Sequence, residues 1–127
     1  MHITVSGLIV GSQGIVLHRH KRLGLWLQPG GHLDAGEQPL EAVLRETEEE
    51  TGLLAVPRSA DVVHVDVHGG GLGHVHLDLR FVLSASGQPR PAAGESQDVR
   101  WFSPSEAAAV AEAGLSGALR LPGLFPS

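Results

Sequence analysis

Gly31–Leu53 reads GHLDAGEQPLEAVLRETEEETGL, and its spacing predicts a loop that runs into a helix over about Pro39 to Thr51. Leu40, Val43 and Leu44 recur at helical spacing, and Thr47 extends their stripe. Pro39 suits the first turn, where its missing N–H would lack a partner anyway, and Gly52 suits the position just past the end. Glu46, Glu49 and Glu50 then stand at i, i+3 and i+4, on one face turned away from the Leu40 stripe. They crowd the last turns, where the helix dipole favours positive charge and where like charges repel. Arg45 can pair with one acid and orient it, but one guanidinium does not neutralise the group. Such a face is either a solvated acidic surface or a site for a hard divalent cation, Mg2+ or Mn2+, held by carboxylates and by substrate phosphates.

The same stretch resembles the signature of a known family. Gly31, five residues, Glu37, seven residues, Arg45-Glu46, two residues, Glu49-Glu50, one residue, Gly52 and Leu53 are similar to the Nudix box. With each residue type near ~6% of ordinary composition, the seven fixed positions coincide by chance at about one in 10⁸ to 10⁹ starting points. One position departs: the residue after Arg45-Glu46 is usually aliphatic in the family and is Thr47 here, which bears on packing more than on chemistry. The resemblance implies an α/β Nudix fold, a mixed β-sheet sandwiched between helices with the box at the sheet's edge. It implies Mg2+-dependent hydrolysis of a phosphoanhydride bond, in a nucleoside diphosphate linked to a group X or in a nucleoside triphosphate. Glu46, Glu49 and Glu50 would ligate the metal, together with the Gly31 carbonyl. Either Glu46 or Glu49 would double as general base, Arg45 would orient them, and Glu37 would support the site from behind the ligands.

Length and composition set the bounds. A chain of 127 residues is one domain's worth, here residues 1–127. The net charge of −5 argues against a stable nucleic-acid grip and leaves an anionic substrate dependent on bound metal. With no cysteine there is no disulfide and no thiolate nucleophile. The start, MHITVSGLIVG, lacks a basic leader, and no run is long enough to span a bilayer, so a soluble cytoplasmic protein is expected.

His2 to Val10 and Gly14 to His18 read as a hairpin, followed by the basic run His18-Arg19-His20-Lys21-Arg22. That run, Arg19 included, either meets substrate phosphates or is a solvated strand end. Trp26 is a core residue or a base-stacking platform. Gly30 and Gly31 let the backbone approach a ligand. Asp61 to His68 and His74 to Ser84 alternate around a glycine-rich turn. Val63, Val65 and Val67 share one face with Val75, Leu77, Leu79 and Phe81; His64, Asp66, His68, His74, His76, Asp78 and Arg80 share the other. The polar face is ordinary strand polarity, a wall of the substrate cleft, or a second metal site. The segment His74 to Phe81 also resembles one found in a subset of Nudix proteins. Gln88 to Ser96 reads as a surface loop, and its Glu95 is similar in place to an additional metal-ligating glutamate of MutT-type members. Val99 to Phe102 reads as a strand. Ser103-Pro104-Ser105-Glu106 reads as a capping box that opens a helix through about Ala113, before an irregular tail anchored by Leu119, Leu121 and Phe125.

Absences narrow the subfamily. The cysteine of isopentenyl diphosphate isomerases and the tyrosine of diadenosine-polyphosphate hydrolases are missing, and His68 stands where ADP-ribose pyrophosphatases often have proline. Two other classes stay open: a noncatalytic Nudix module that senses nucleotides, and a metal-binding scaffold built on the histidine-rich hairpin. The partner expected is a small, nucleotide-derived phosphoanhydride; pairing into a homodimer is left open.

Overall fold

β1 (His2–Gly11) and β2 (Gly14–Arg19) form the expected hairpin, antiparallel with Val10 opposite Ile15. The computed structural model describes residues 2–69 and 75–125, with β1 in the middle of a mixed eight-stranded sheet. Along one edge β1 runs parallel to β7 (Val75–Ser84), from His2 opposite His76 to Val10 opposite Ser84. Its other edge is shared between β2 and the short β4 (Gly30–His32), with Val5 opposite Gly31. β3 (Trp26–Leu27) and β8 (Val99–Phe102) pair with β2; β5 (Val56–Pro57) and β6 (His64–Gly69) pair with β7.

Alternation along the strands makes two cores. Val5 and Ile9 of β1, with Phe81 and Leu83 of β7, are buried against Ala42 and Val43 of α1 (Pro39–Thr51). Leu8, Val10, Ile15, Leu17 and Phe102 face the other way, against Ala107 of α2 (Pro104–Val110) and Leu115 and Ala118 of α3 (Ala113–Leu119). Each fully buried large aliphatic or aromatic side chain adds about 1.5–3 kcal/mol, so both layers are held by the sheet they share. The sandwich is the expected α/β architecture. No helix among the described residues is long and apolar enough to cross a membrane.

α1 has the predicted bounds. Its start is reinforced by the Glu41 carboxylate, which accepts the Gln38 N–H at 2.9 Å. Gly52 ends it in the left-handed region at φ 72°, and a Cβ there would fall 2.1 Å from the Arg90 carbonyl oxygen, so glycine is required twice over.

The C-terminal region departs from expectation. α2 ends at Val110 and the tail is not irregular: Glu112 accepts the N–H groups of Gly114 and Leu115 and starts α3. Burial of Leu115 and Ala118 outweighs the two glycines of this short helix, and Leu119, Leu121 and Phe125 pack on the same core as foreseen. The sequence left several readings open for the β6–β7 hairpin: in the structure its polar face is turned inward around Arg80, which is 3% exposed, while Val65, Val67 and Val75 on the apolar face are exposed. Its glycine turn and His74 lie outside the described residues.

Thr47, the departure from the box, is buried in the α1 core, and its hydroxyl has no hydrogen-bond partner. An orphaned buried hydroxyl costs about 1–3 kcal/mol, whereas the isosteric methyl does not. Thr47→Val should therefore raise the unfolding free energy by about 1 kcal/mol in urea denaturation; a loss of stability would show that the hydroxyl is bonded after all.

Candidate active site

The acids at the end of α1 meet three different environments. Glu50 is 7% exposed. Its Oε2 accepts the Gly30 N–H at 3.1 Å, which places the carboxylate under the β4 backbone. Burial first, then the hydrogen bond with Glu46 and its charge, push the Glu50 carboxyl up to about 9, with Glu95 adding to the rise and the Gly30 N–H opposing it. His18 Nε2 lies 3.5 Å from Glu50 Oε2. Burial, with help from His20, lowers His18 to about 4, so at neutral pH this is a contact between two uncharged groups and not an ion pair.

Glu46 packs against Gly31, where a Cβ would sit 2.7 Å from its Oε1. Glu49 is the outermost, with its side chain 48% exposed. Arg45 ties the set together. It donates to Glu46 Oε1 at 3.1 Å and to Glu49 Oε2 at 3.3 Å, and grips Glu37 through two bonds of 2.8 and 3.0 Å. It also donates to the His32 carbonyl at 3.2 Å. The bond from Arg45, then that from the Asp34 N–H, holds the Glu37 carboxyl below its ordinary range. These bonds make Glu37 a strut between the loop and the helix, with Arg45 at the hub.

Glu95 arrives from the 85–98 loop. That loop is fastened to the end of α1, with the Arg90 N–H on Thr51 O at 2.7 Å and the Ala92 N–H on Glu49 O at 3.2 Å. These bonds satisfy helix-end carbonyls that otherwise lack partners. Lys21 Nζ donates to the Gly94 carbonyl, and Trp101 Nε1 to the Gly87 carbonyl at 2.7 Å. Glu50 and Glu95 then line one open cleft of about 490 Å³ together with His20, Lys21 and Arg22.

The donor set fits a hard cation. Every candidate ligand is an oxygen, and burial first, then Glu46, with Glu95 a smaller addition, raises the Glu50 carboxyl. Among the described residues, no three histidine, aspartate or glutamate side chains converge tightly enough to form a cage by themselves. The structure brings Glu46 and Glu50 together with Gly31 and sets Glu95 on the same cleft; Glu49 stands off, on Arg45. Magnesium commonly takes one or two carboxylates and completes its shell with water and phosphate oxygens, and an incomplete cage suits that habit.

The remaining expected residues divide. Asp78 and Arg80 line a second cleft beside the first. His76 stacks on the His2 ring with centroids 5.0 Å apart. Arg19 lies outside both clefts, in a recess with Gly24, Gln97 and Asp98. Trp26 packs edge-on to Phe102 at 4.9 Å, a core role. His18, Gln28, Thr4, Ser6, Asp66 and Glu112 line one or other cleft. Spacing held no signal for them as a group, because the fold assembles them from five separate segments.

The family model described as NUDIX domain matches residues 1–120. The chain belongs to the Nudix family. It is 31% identical over 103 residues to the ADP-ribose pyrophosphatase of Methanocaldococcus jannaschii, covering 79% of this chain and 60% of that protein. It is 47% identical over 99 residues to the RNA pyrophosphohydrolase of Erythrobacter litoralis, covering 76% and 52%. The crystal structure of a MutT NUDIX hydrolase from Burkholderia pseudomallei superposes with a TM-score of 0.76 at 27% identity, covering 93% of this chain and 95% of that one. The Nudix chain thus spans about half to three-fifths of the length of these two curated relatives.

Because the folded-state pKa of Glu50 lies above its ordinary value of 4.5, its contribution to stability is fully present below about pH 4.5 and is lost as pH rises through about 9. In metal-free protein, Glu50→Gln should match wild type at pH 4 and exceed it by a few kcal/mol at pH 9 in thermal or urea unfolding. Equal stability at both pH values would mean that Glu50 is not held protonated.

Proposed function

We propose that this Nudix protein hydrolyses a phosphoanhydride bond, with a divalent cation, in a nucleoside diphosphate linked to a group X or in a nucleoside triphosphate. One observation carries the reading: the buried Glu50 touches Glu46 and shares a cleft with Glu95, His20, Lys21 and Arg22. Carboxylates alone would repel a pyrophosphate, and a basic wall alone would bind one without cleaving it. The two together suit a metal-bound phosphate chain. The names of the two relatives specify pyrophosphate chemistry, which supports the same bond.

Glu46, Glu50 and the Gly31 carbonyl would hold the cation, with Glu95 and Glu49 at its margin. A cation bound there neutralises phosphoryl oxygens and acidifies a bound water. His20, Lys21 and Arg22 bind the phosphate chain. Glu46 or Glu49 takes the proton of the attacking water, and Arg45 keeps both aimed by holding them to Glu37 and His32. Arg45 is therefore a positioning residue, and its loss should slacken the whole loop-to-helix joint.

A panel of nucleotides under Mg2+ and under Mn2+, with release of phosphate or mononucleotide as readout, tests the activity. Turnover should require added metal and vanish with chelator. Removing a general base should cost about 10²–10⁴-fold in kcat, so of Glu46→Gln and Glu49→Gln, the base variant is the one that loses kcat by that factor while still binding metal. Gly31→Ala, whose methyl would displace Glu46, should lower activity and leave the unfolding transition in place. Binding of nucleotides without turnover of any would favour the sensor reading.

A further inference from the structure

The cleft that holds the acids adjoins a further recess of about 320 Å³, and the two share His20, Lys21 and Ser96. Arg19, Gly24, Gln97 and Asp98 complete the recess. Glu50 and Glu95 line the cleft and not the recess.

The charges there run against those of the whole chain. Arg19, Lys21 and Arg22 are three of its nine lysines and arginines, in a protein of net charge −5. Among the described lining residues of the recess, Arg19 and Lys21 outnumber the one carboxylate, Asp98. An anion is therefore drawn to this hollow although the protein as a whole repels it.

The walls are held in place before any ligand arrives. The Arg19 N–H donates to the Asp98 carbonyl at 2.8 Å, and Lys21 Nζ donates to the Gly94 carbonyl, so the segment after β2 is fastened twice to the 85–98 loop. The turn closes on itself, with the His20 N–H on Leu25 O and the Gly24 N–H on His20 O, each at 2.8 Å. Arg19 Nε donates to the Gly24 carbonyl at 3.3 Å, which uses one donor of a guanidinium that has several to offer a phosphate. His20 Nδ1 accepts the N–H groups of Arg22 and Leu23 at 3.2 and 3.1 Å. Its Nδ1 is therefore unprotonated, and Nε2 carries the ring proton as a donor on the boundary of the two hollows.

A pyrophosphate at the acids engages Lys21 and Arg22 in the cleft. The recess continues the same positive wall, through His20 and Lys21 to Arg19. We propose that this recess is a subsite for a phosphate group beyond the two joined by the scissile bond, that the protein thereby prefers substrates with an extended run of phosphates, and that Arg19 is the residue that sets the preference. The inference rests on the hydrolase reading for the position of the scissile bond.

Two substrate series test it and separate the sources of the extra phosphate. One compares a dinucleoside diphosphate with the corresponding dinucleoside tetraphosphate; the other compares a nucleoside 5′-triphosphate with the same triphosphate extended by a 3′-linked nucleotide, which adds a phosphodiester. Wild type should favour the longer member of at least one series by about fivefold or more in kcat/KM, mostly through KM. Arg19→Gln, which keeps a donor for the Gly24 carbonyl, should cut that preference at least about threefold, and Arg19→Glu should abolish it. Arg22→Ala, in the cleft alone, should weaken both members alike. The series that responds to Arg19 identifies the source. A preference under about twofold in both series, one that survives unchanged in Arg19→Gln, or one lost equally in Arg22→Ala overturns the proposal. Should no member be cleaved under Mg2+ or Mn2+, the hydrolase reading fails separately. Inorganic pyrophosphate and tripolyphosphate are then titrated calorimetrically into chelator-treated protein: tighter binding of tripolyphosphate that depends on Arg19 supports the subsite, and equal or undetectable binding of the two overturns it.

Discussion

A carboxylic acid buried at the wrong end of a helix is the constraint on which the site depends. Glu50 sits in the last turn of α1, where the dipole disfavours negative charge, in contact with Glu46 and out of water. Packing holds it there: Thr47 and Thr51 on either side are buried against the sheet, and Gly30 donates from β4. The fold thus forces an acid into a place where it cannot ionise freely. A proton answers this in the metal-free protein, and the divalent cation proposed above would answer it together with Glu46 and Glu95.

Around that point the structure is a set of fasteners. The pairing of β4 with β1 fixes where Gly30 and Gly31 stand, and so fixes the distance from the strand backbone to Glu46 and Glu50. Arg45 joins the loop before the helix to the helix itself through Glu37 and His32. The 85–98 loop joins the helix end through Thr51 and Glu49 carbonyls, and carries Glu95 with it. Each of the three joints uses backbone groups of the box or its borders. This explains why a short signature governs a site whose parts span most of the Nudix domain: the box supplies the helix, its two ends and the turn before it, and the other segments hang from those.

What could be read in the sequence was what local spacing determines. The bounds of α1, its Gly52 terminus, the β1–β2 hairpin, the strand at Val99–Phe102 and the Ser103 cap all follow from rules that act within a few residues. The separation of Glu46, Glu49 and Glu50 into three environments was not legible, because helical spacing assigns a face and not a depth; the sheet beneath α1 decides that Glu50 is buried and Glu49 is not. The inward turn of Asp78 and Arg80 was one of the readings the sequence left open, undecided for a similar reason. Alternation shows that two faces differ, but Thr4 and Ser6 across the β1–β7 ladder and the carbonyl of Gly114 are what make the polar one buried. α3 was missed because its glycines argue against a helix locally, while Leu115 and Ala118 are fixed by a core assembled from distant strands.

The central claim is that the Glu46–Glu50 pair exchanges a proton for a divalent cation. Isothermal titration of Mg2+ into chelator-treated protein near pH 7, repeated in two buffers of different ionisation enthalpy, measures both events at once. The account predicts saturable binding that releases a proton, with the release abolished in Glu50→Gln. Absence of saturable binding, or binding with no proton release in wild type, would contradict it.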